Sequence, residues 1–368
     1  MCLAPGPLRK KYAIKVASWP EREREGTPMT PISRRRLLGT AAGAAAATAM
    51  LRSAYAQSPV VLRVSTSATV DENSAHHLWF QKFAANVKDA LGDRVRFDYF
   101  PNSQLGKEAD IVEQVKIGST DLMITGSSIW ATVAPELGML DLGYMFDSYD
   151  HASKAIDGGV DRDLGKLLRD RTGVSIIAWG FHFGARSVYT KAPVKQLTDL
   201  KGVKLRVLPA PAFIETFKVM GAIPTPIPVN ELYTALQTGV VDGYEHDPGT
   251  TISMKLYEVV KYGFLTEHLF SPMCVFLGRR GLDKVPADAR PAFLKAASDA
   301  TVWERGIAAA KTKSSMQELK RLGITYTPMP TQERRAMQDE MATRLYAPFA
   351  EKYPATKPIF AAIAAARA

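Results

Sequence analysis

Three consecutive ionisable residues, Glu245, His246 and Asp247, follow a short apolar segment that alternates like a β-strand and contains Tyr244. Ligand-binding groups of open α/β folds collect at strand ends, so all four are candidate ligand contacts. The trio also has the residue types of an acid–base pair or a metal site. No nucleophile or fixed third metal ligand accompanies it. Ligand contact is therefore the favoured interpretation, with a solvated loop as the alternative.

Other catalytic and metal-binding patterns are absent from the sequence. It has no G-x-S-x-G elbow, H-E-x-x-H pair, P-loop or glycine-rich dinucleotide motif after a strand. The side chains of His76 and His77 diverge by about 100° on a helix, so they are expected at its surface or partly buried rather than on one metal ion. Of two cysteines, Cys2 lies in a segment that export would remove, leaving Cys274 alone. No metal or cofactor is predicted.

One arginine stands inside a segment that otherwise has the pattern of an ordinary β-strand. In "DLKGVKLRV" (199–207), Val203, Leu205 and Val207 alternate with Lys204 and Arg206. One face of this strand is apolar and the other is cationic. Arg206 is either a solvated surface charge, which is the commoner case, or a ligand-binding group that points into a cleft.

Strands alternating with helices predict the fold that must position these residues. Strands at 60–68, 94–101 and 120–125 alternate with helices at 75–91 and 107–118, which indicates a parallel sheet with crossover helices. A similar order is predicted later in the chain, with strand 203–207, helix 212–221, helix 230–239 with Asn230 as its N-cap, and strand 240–245. The residues from about 284 onward are mostly helical by pattern, with a long segment at 287–323 and another at 331–353.

The two halves share a short internal likeness. "VEQVKIGSTDLMIT" and "YTALQTGVVDGYEH" each have a helix, a glycine, two residues, an aspartate and a strand. Asp121 and Asp242 occupy matching places. The likeness predicts two α/β lobes built from one unit, with a ligand cleft between them.

The N-terminal region has the order of an export signal. Arg34, Arg35 and Arg36 precede an alanine-rich apolar stretch and the "AYA" that ends at Ala56. Paired arginines before a weakly apolar core favour the twin-arginine route, with cleavage after Ala56 and a true start at Met29. The apolar stretch is too short to cross a bilayer, which needs about 20 residues. Residues 1–56 are thus predicted to be a precursor head, and the mature chain is expected in the periplasm without membrane insertion.

The basic charge belongs to this head. Ten of the 47 Lys and Arg residues and three of the 37 Asp and Glu residues lie in 1–56, which leaves the mature chain near +3. Nucleic-acid binding therefore loses its only support. With 46% hydrophobic and 23% charged residues, the composition is that of an ordinary soluble protein.

Several stretches in order resemble one family. They are "FPNSQLGKEADIVEQVKIGSTDL", "PELGMLDLGYMF", "GARSVYTKAPVKQLTDLKGVKLRV" and "PTPIPVNELYTALQTGVVDGYEHD". Over residues 60–350 the chain resembles the DctP-like solute receptor of tripartite ATP-independent periplasmic (TRAP) transporters.

The resemblance implies a type II-like periplasmic binding protein. Its two α/β lobes are joined by crossing strands and spanned by a long helix. We expect lobe I to comprise 57–183 with about 272–311, and lobe II to comprise 184–271 with about 312–368. The resemblance further implies capture of a small organic carboxylate and its delivery to a sodium-driven membrane permease.

The resemblance also implies roles for individual residues. Arg206 would make the bidentate carboxylate salt bridge and Arg186 would assist it. His246 would contact the ligand, Glu108 would reach polar substituents, and Val229 would form part of the pocket wall. The chain departs from the family at 142–146, which reads Leu-Gly-Tyr-Met-Phe, and at His246-Asp247, where asparagine is usual. Both departures leave the substrate undetermined.

Two alternatives to the transport receptor remain open. One is an exported enzyme that acts on an organic acid through Glu245, His246 and Asp247. The other is a receptor that feeds a signalling protein instead of a permease.

Overall fold

The computed structural model describes residues 58–367, which form an α/β fold with two β-sheets. The strands in this range are β1 (Val60–Thr66), β2 (Val95–Phe100), β3 (Leu122–Gly126), β4 (Ser175–Phe181), β5 (Arg186–Thr190), β6 (Lys204–Val207), β7 (Ile223–Pro226), β8 (Gly243–His246), β9 (Tyr262–Leu269), β10 (Pro272–Leu277) and β11 (Thr325–Pro328). The α-helices are α1 (Ala75–Leu91), α2 (Glu108–Ile117), α3 (Tyr149–Ala155), α4 (Asp161–Thr172), α5 (Pro211–Val219), α6 (Leu232–Gln237), α7 (Pro248–Ser253), α8 (Arg279–Lys284), α9 (Arg290–Arg321), α10 (Thr331–Met341), α11 (Ala347–Lys352) and α12 (Lys357–Ala365).

The strands divide between the sheets much as their order in the sequence suggests. The first sheet has the order β2-β1-β3-β10-β4, and the second has the order β11-β9-β5-β8-β6-β7. Strands β1, β2 and β3 are parallel, as predicted, and so are β6, β7 and β8. Strand β10 runs antiparallel to both of its neighbours in the first sheet, and β5 runs antiparallel to both of its neighbours in the second.

Two pairs of successive strands cross from one sheet to the other. Strand β4 belongs to the first sheet and β5, which begins only five residues after β4 ends, belongs to the second. Strand β9 of the second sheet continues through residues 270–271 into β10 of the first. The expected crossing strands are therefore present.

The internal likeness has a structural counterpart in each sheet. Asp121 precedes β3, and its carboxylate accepts a hydrogen bond from the Arg63 backbone N–H at 2.8 Å. Asp242 precedes β8 and accepts from the Lys204 backbone N–H at 2.9 Å. Each aspartate also donates its own N–H to the carbonyl of that same partner residue. The two aspartates therefore join neighbouring parallel strands in the same way.

Two helix boundaries differ from the predicted ones. Asn230 lies within a 3₁₀ turn, Val229–Glu231, instead of capping α6. The helix predicted at 331–353 is divided by a π-helical turn, Ala342–Tyr346, between α10 and α11. Among residues 58–367, no helix combines the length and the apolarity that crossing a membrane requires. The exact lobe boundaries stay a prediction, and the signal peptide lies outside the described residues.

The long helix α9 connects elements that accompany both sheets. It packs against α1, β4 and α7. Glu304, in the middle of α9, is fully buried, and its Oε2 accepts a hydrogen bond from the Phe181 backbone N–H at 3.0 Å. Phe181 is the last residue of β4, so this buried carboxyl lies beside the crossing point.

Burial raises the pKa of Glu304 to about 8. A folded-state pKa above the unfolded value means that the native state retains a proton which the unfolded state has released. We therefore expect the free energy of unfolding to fall as pH rises from about 5 to 8, by up to about 1.4 kcal/mol per pH unit. Glu304→Gln, followed by urea unfolding across this range, should remove that slope. The exposed variant Glu340→Gln should retain it, and an unchanged slope in Glu304→Gln would contradict the assignment.

Candidate functional site

A cavity of about 60 Å³ lies between the two sheets. Residues that follow strands of both sheets line it, as the ends of α/β strands commonly do. Its polar lining comprises Ser67, Thr69, Ser74, His76, Glu108, Thr125, Ser128, His182, Arg186, His246, Asp247, Thr250, Ser253 and Ser271. Leu208, Val229 and Met254 contribute apolar surface.

Glu108 provides a carboxylate on the side of the first sheet. It is the first residue of α2, where the helix dipole favours a negative charge. Its Oε1 accepts hydrogen bonds from Ser67 Oγ at 3.0 Å and from Thr125 Oγ1 at 2.5 Å. These hydroxyl groups follow β1 and end β3, so two adjacent parallel strands fix the carboxylate in the cavity wall.

Arg186 forms a buried ion pair with Glu245 on the neighbouring strand. Its Nε and Nη2 donate to the two carboxylate oxygens at 2.5 and 2.7 Å, and the two side chains are 2% and 0% exposed. Burial alone would raise the pKa of Glu245, but the charge of Arg186 lowers it to about 2. Arg186 lines the cavity, yet its positive charge is already neutralised by Glu245.

Arg206 is a fully buried guanidinium without a carboxylate partner. Its Nε donates to the Ile227 carbonyl at 2.8 Å, while Nη1 and Nη2 have no hydrogen-bond partner. Burial lowers the pKa of Arg206 to about 10, so the side chain keeps its charge at neutral pH. Arg206 itself lies outside the cavity lining. Leu208, two residues after Arg206, and Val229, two residues after Ile227, do belong to that lining.

Three histidine rings and Asp247 form one wall of the cavity. The ring centroid of His182 lies 5.1 Å from that of His76 and 6.5 Å from that of His246. His246 Nδ1 is 2.7 Å from Asp247 Oδ2, and Asp247 Oδ1 accepts from the Thr250 N–H, which caps α7. Among residues 58–367, no cluster of three or more His, Cys, Asp or Glu side chains is arranged to hold a metal ion.

Comparison with known proteins identifies the family. Residues 66–352 match the model of the bacterial extracellular solute-binding proteins of family 7, also named DctP. The chain belongs to this family. Its resemblance to the receptors of TRAP transporters is thereby confirmed, and members of this family act outside the cytoplasmic membrane.

Individual members of the family are 28–30% identical to this chain over the aligned residues. The 2,3-diketo-L-gulonate-binding periplasmic protein YiaO of Escherichia coli is 30% identical over 77% of this chain and 85% of its own. The C4-dicarboxylate-binding periplasmic protein DctP of Rhodobacter capsulatus is 28% identical over 86% and 95%. A TRAP periplasmic solute-binding protein of Polaromonas, solved with D-erythronate, has a TM-score of 0.77 at 29% identity, over 84% of this chain and 99% of its own.

The predicted site residues fall into two groups. Five of them line the cavity, namely Arg186, His246, Asp247, Glu108 and Val229. Three others are buried outside its lining, namely Arg206, Tyr244 and Glu245. The Tyr244 hydroxyl donates to Thr251 Oγ1 at 3.0 Å, so it supports α7 from behind.

Two histidines of the cavity lining, His76 and His182, are among the residues that the site predicted from the sequence lacks. His76 was expected at a helix surface or partly buried, but it is only 7% exposed; it lies in the first turn of α1, and its Nδ1 is 2.8 Å from Oγ1 of Thr66, the last residue of β1. Its position after a predicted parallel strand was an available signal. His182 lies between β4 and β5, and only recognition of the crossing strands would have indicated it.

Burial lowers the pKa values of all three histidines, to about 3 for His76 and about 4 for His182 and His246. For His246, repulsion from Arg186 adds to burial, and Asp247 offsets only part of it. The three rings should therefore be neutral throughout the physiological range. In a proton NMR titration, assigned with His246→Asn, we expect the His246 ring signal to stay constant from pH 6 to 8. A midpoint near 6.5, the value of an exposed histidine, would contradict this.

Proposed function

We propose that this protein is the extracytoplasmic receptor of a TRAP transporter and that it binds a small organic carboxylate between its two lobes. The observation that carries the proposal is the unpaired guanidinium of Arg206. A buried donor without a partner costs about 1–3 kcal/mol, and more when it is charged. A protein retains a buried, unpaired guanidinium where a bound ligand supplies the missing hydrogen-bond acceptors.

A carboxylate is the ligand group that fits this guanidinium best. Nη1 and Nη2 present parallel donors that match the two carboxylate oxygens. Because Arg206 lies outside the present lining, the carboxylate has to reach it by widening the cavity towards Leu208 and Val229. The short connections between the sheets allow such opening and closing. Closure then follows from tighter binding of the ligand to the closed form.

Export and delivery belong to the same proposal. The twin-arginine signal and cleavage after Ala56 would place the mature chain in the periplasm. Family membership supports that location. The receptor would deliver its ligand to a sodium-driven permease in the membrane, as the resemblance to TRAP receptors implies.

The arrangement of the trio Glu245, His246 and Asp247 does not favour the enzyme alternative. Glu245 and His246 are adjacent in β8, so their side chains lie on opposite faces of the sheet. Glu245 pairs with Arg186, whereas His246 pairs with Asp247. The three groups therefore do not converge on one reacting atom.

A thermal-shift screen of the mature chain, residues 57–368, tests the proposal. The panel should contain small mono- and dicarboxylates, keto acids, sugar acids, aromatic acids and their neutral analogues. A ligand present at 100 times its dissociation constant adds about 2.7 kcal/mol to the free energy of unfolding, which raises the melting temperature. Ligands should be recovered unchanged after denaturation. Stabilisation by neutral analogues alone, or conversion of an acid to product, would overturn the proposal.

A further inference from the structure

We propose that Asp71 and Ser253 are positioning residues whose hydrogen bond holds the cleft closed and sets how long a bound carboxylate stays in the cavity. This inference rests on the proposed function, in which the ligand is bound between the two lobes. It concerns the rate at which the ligand leaves and not the kind of ligand.

The hydrogen bond between Asp71 and Ser253 joins the two sides of the cavity. Asp71 belongs to the loop of residues 67–74, which connects β1 of the first sheet to α1. Ser253 is the last residue of α7, which follows β8 of the second sheet. Ser253 Oγ donates to Asp71 Oδ1 at 2.8 Å. Because Thr69, Ser74 and Ser253 line the cavity, this bond lies at its edge, and separation of the two sides breaks it. We call this hydrogen bond the latch.

The carboxylate of Asp71 is fixed by its own loop. Its Oδ1 also accepts from the Asn73 N–H, and its Oδ2 accepts from Thr69 Oγ1, both at 2.7 Å. The Ser74 N–H donates to the Asp71 carbonyl at 3.2 Å. All three bonds lie within the loop, so they do not depend on contact with α7. The acceptor is therefore preorganised, and formation of the latch costs little ordering on this side of the cleft.

Gly249 allows α7 to approach the loop closely. A Cβ atom at this position would lie 2.7 Å from the carbonyl oxygen of Asn73, which is closer than van der Waals contact permits. Gly249 and Ser253 are four residues apart and lie on the same face of α7. This face therefore meets the loop at two points, by close backbone contact at Gly249 and by the latch at Ser253.

A second contact between the two sides is an exposed ion pair. Lys107 Nζ lies 2.8 Å from Glu231 Oε1, and the side chains are 54% and 49% exposed. Lys107 precedes Glu108, and Glu231 follows Val229 by two residues; Glu108 and Val229 both line the cavity. Solvent and salt screen an exposed pair of this kind, whereas the latch is partly buried and has a charged acceptor. We therefore expect the latch to contribute more to closure.

Stopped-flow fluorescence tests the latch, with the acid that raises the melting temperature most in the screen above as the probe. In Ser253→Ala we expect the dissociation rate constant to rise at least about tenfold, because a hydrogen bond to a charged group is lost. The association rate constant should stay within about twofold of wild type, since the ligand enters before the latch forms. Lys107→Met should accelerate release by less than about threefold. The exposed variant Ser314→Ala should match wild type.

A double variant separates the latch from direct contact between Ser253 and the ligand. Asp71 does not line the cavity, so Asp71→Ala should accelerate release as much as Ser253→Ala does. In the Asp71→Ala background, Ser253→Ala should then add less than about twofold. Additive effects, or wild-type release in either single variant, would overturn this inference and leave the proposed function intact. No binding of any acid to the wild-type protein would overturn both.

Discussion

Arg206→Lys is expected to lose at least 100-fold in affinity for the carboxylate ligand while the protein remains folded. Lysine retains the positive charge but replaces two parallel donors by one compact ammonium group, which cannot reproduce the bidentate geometry. Loss of a hydrogen-bonded partner from a buried charge pair costs about 3–5 kcal/mol, which corresponds to more than 100-fold. Isothermal titration with the best acid from the thermal-shift screen measures the change.

The adjacent lysine of the same strand is the matched control. Lys204 is exposed, so Lys204→Met should leave affinity within about twofold of wild type. Arg206→Met should not lower the free energy of unfolding of the ligand-free protein, because it removes an unpaired buried charge. Wild-type affinity in Arg206→Lys would contradict the assigned role of the guanidinium.

Glu245→Gln is expected to destabilise the protein by about 3–5 kcal/mol. The substitution leaves Arg186 buried without its charged partner, and this is the costly way to break a buried pair. Urea unfolding with circular dichroism measures the loss. In the double variant Arg186→Met with Glu245→Leu, where no charge is stranded, we expect most of the stability to return.

The ion pair between Arg334 and Glu267 supplies the control. Its Nη2–Oε2 distance is 2.9 Å, but the side chains are 25% and 47% exposed. Glu267→Gln should therefore change the free energy of unfolding by less than about 1 kcal/mol. A loss in Glu245→Gln as small as the loss in Glu267→Gln would show that the buried pair contributes little.

Local patterns in the sequence predicted most of the elements. The apolar spacing in 75–91 predicted α1 with its observed bounds. In the structure Ser74 caps the start of this helix and Gly92 ends it. Asp121 and Asp242, which occupy matching places, predicted a repeated unit. In the structure each carboxylate stands just before a strand and accepts a hydrogen bond from a backbone N–H of the neighbouring strand. The π-helical turn within 331–353 lacked such a signal, because a helix with one wider turn keeps nearly the same apolar spacing.

The site was only partly predictable, because it depends on ion pairs between side chains that are far apart in the sequence. The resemblance assigned Arg206 to the carboxylate salt bridge and Arg186 to assisting it. Only the fold shows that Glu245 neutralises Arg186 and that Arg206 has no carboxylate partner. The alternation of side chains along β8 could have separated Glu245 from His246 in advance, since adjacent strand residues face opposite ways.

The most direct test of the central claim compares the best-binding acid with its carboxamide. The amide has nearly the same shape but no negative charge, and one of its two acceptor oxygens is replaced by a donor nitrogen. Isothermal titration of the mature wild-type protein should give an affinity for the acid at least 100-fold higher than for the amide. Affinities within about threefold of each other would contradict a receptor that anchors its ligand by a carboxylate on Arg206.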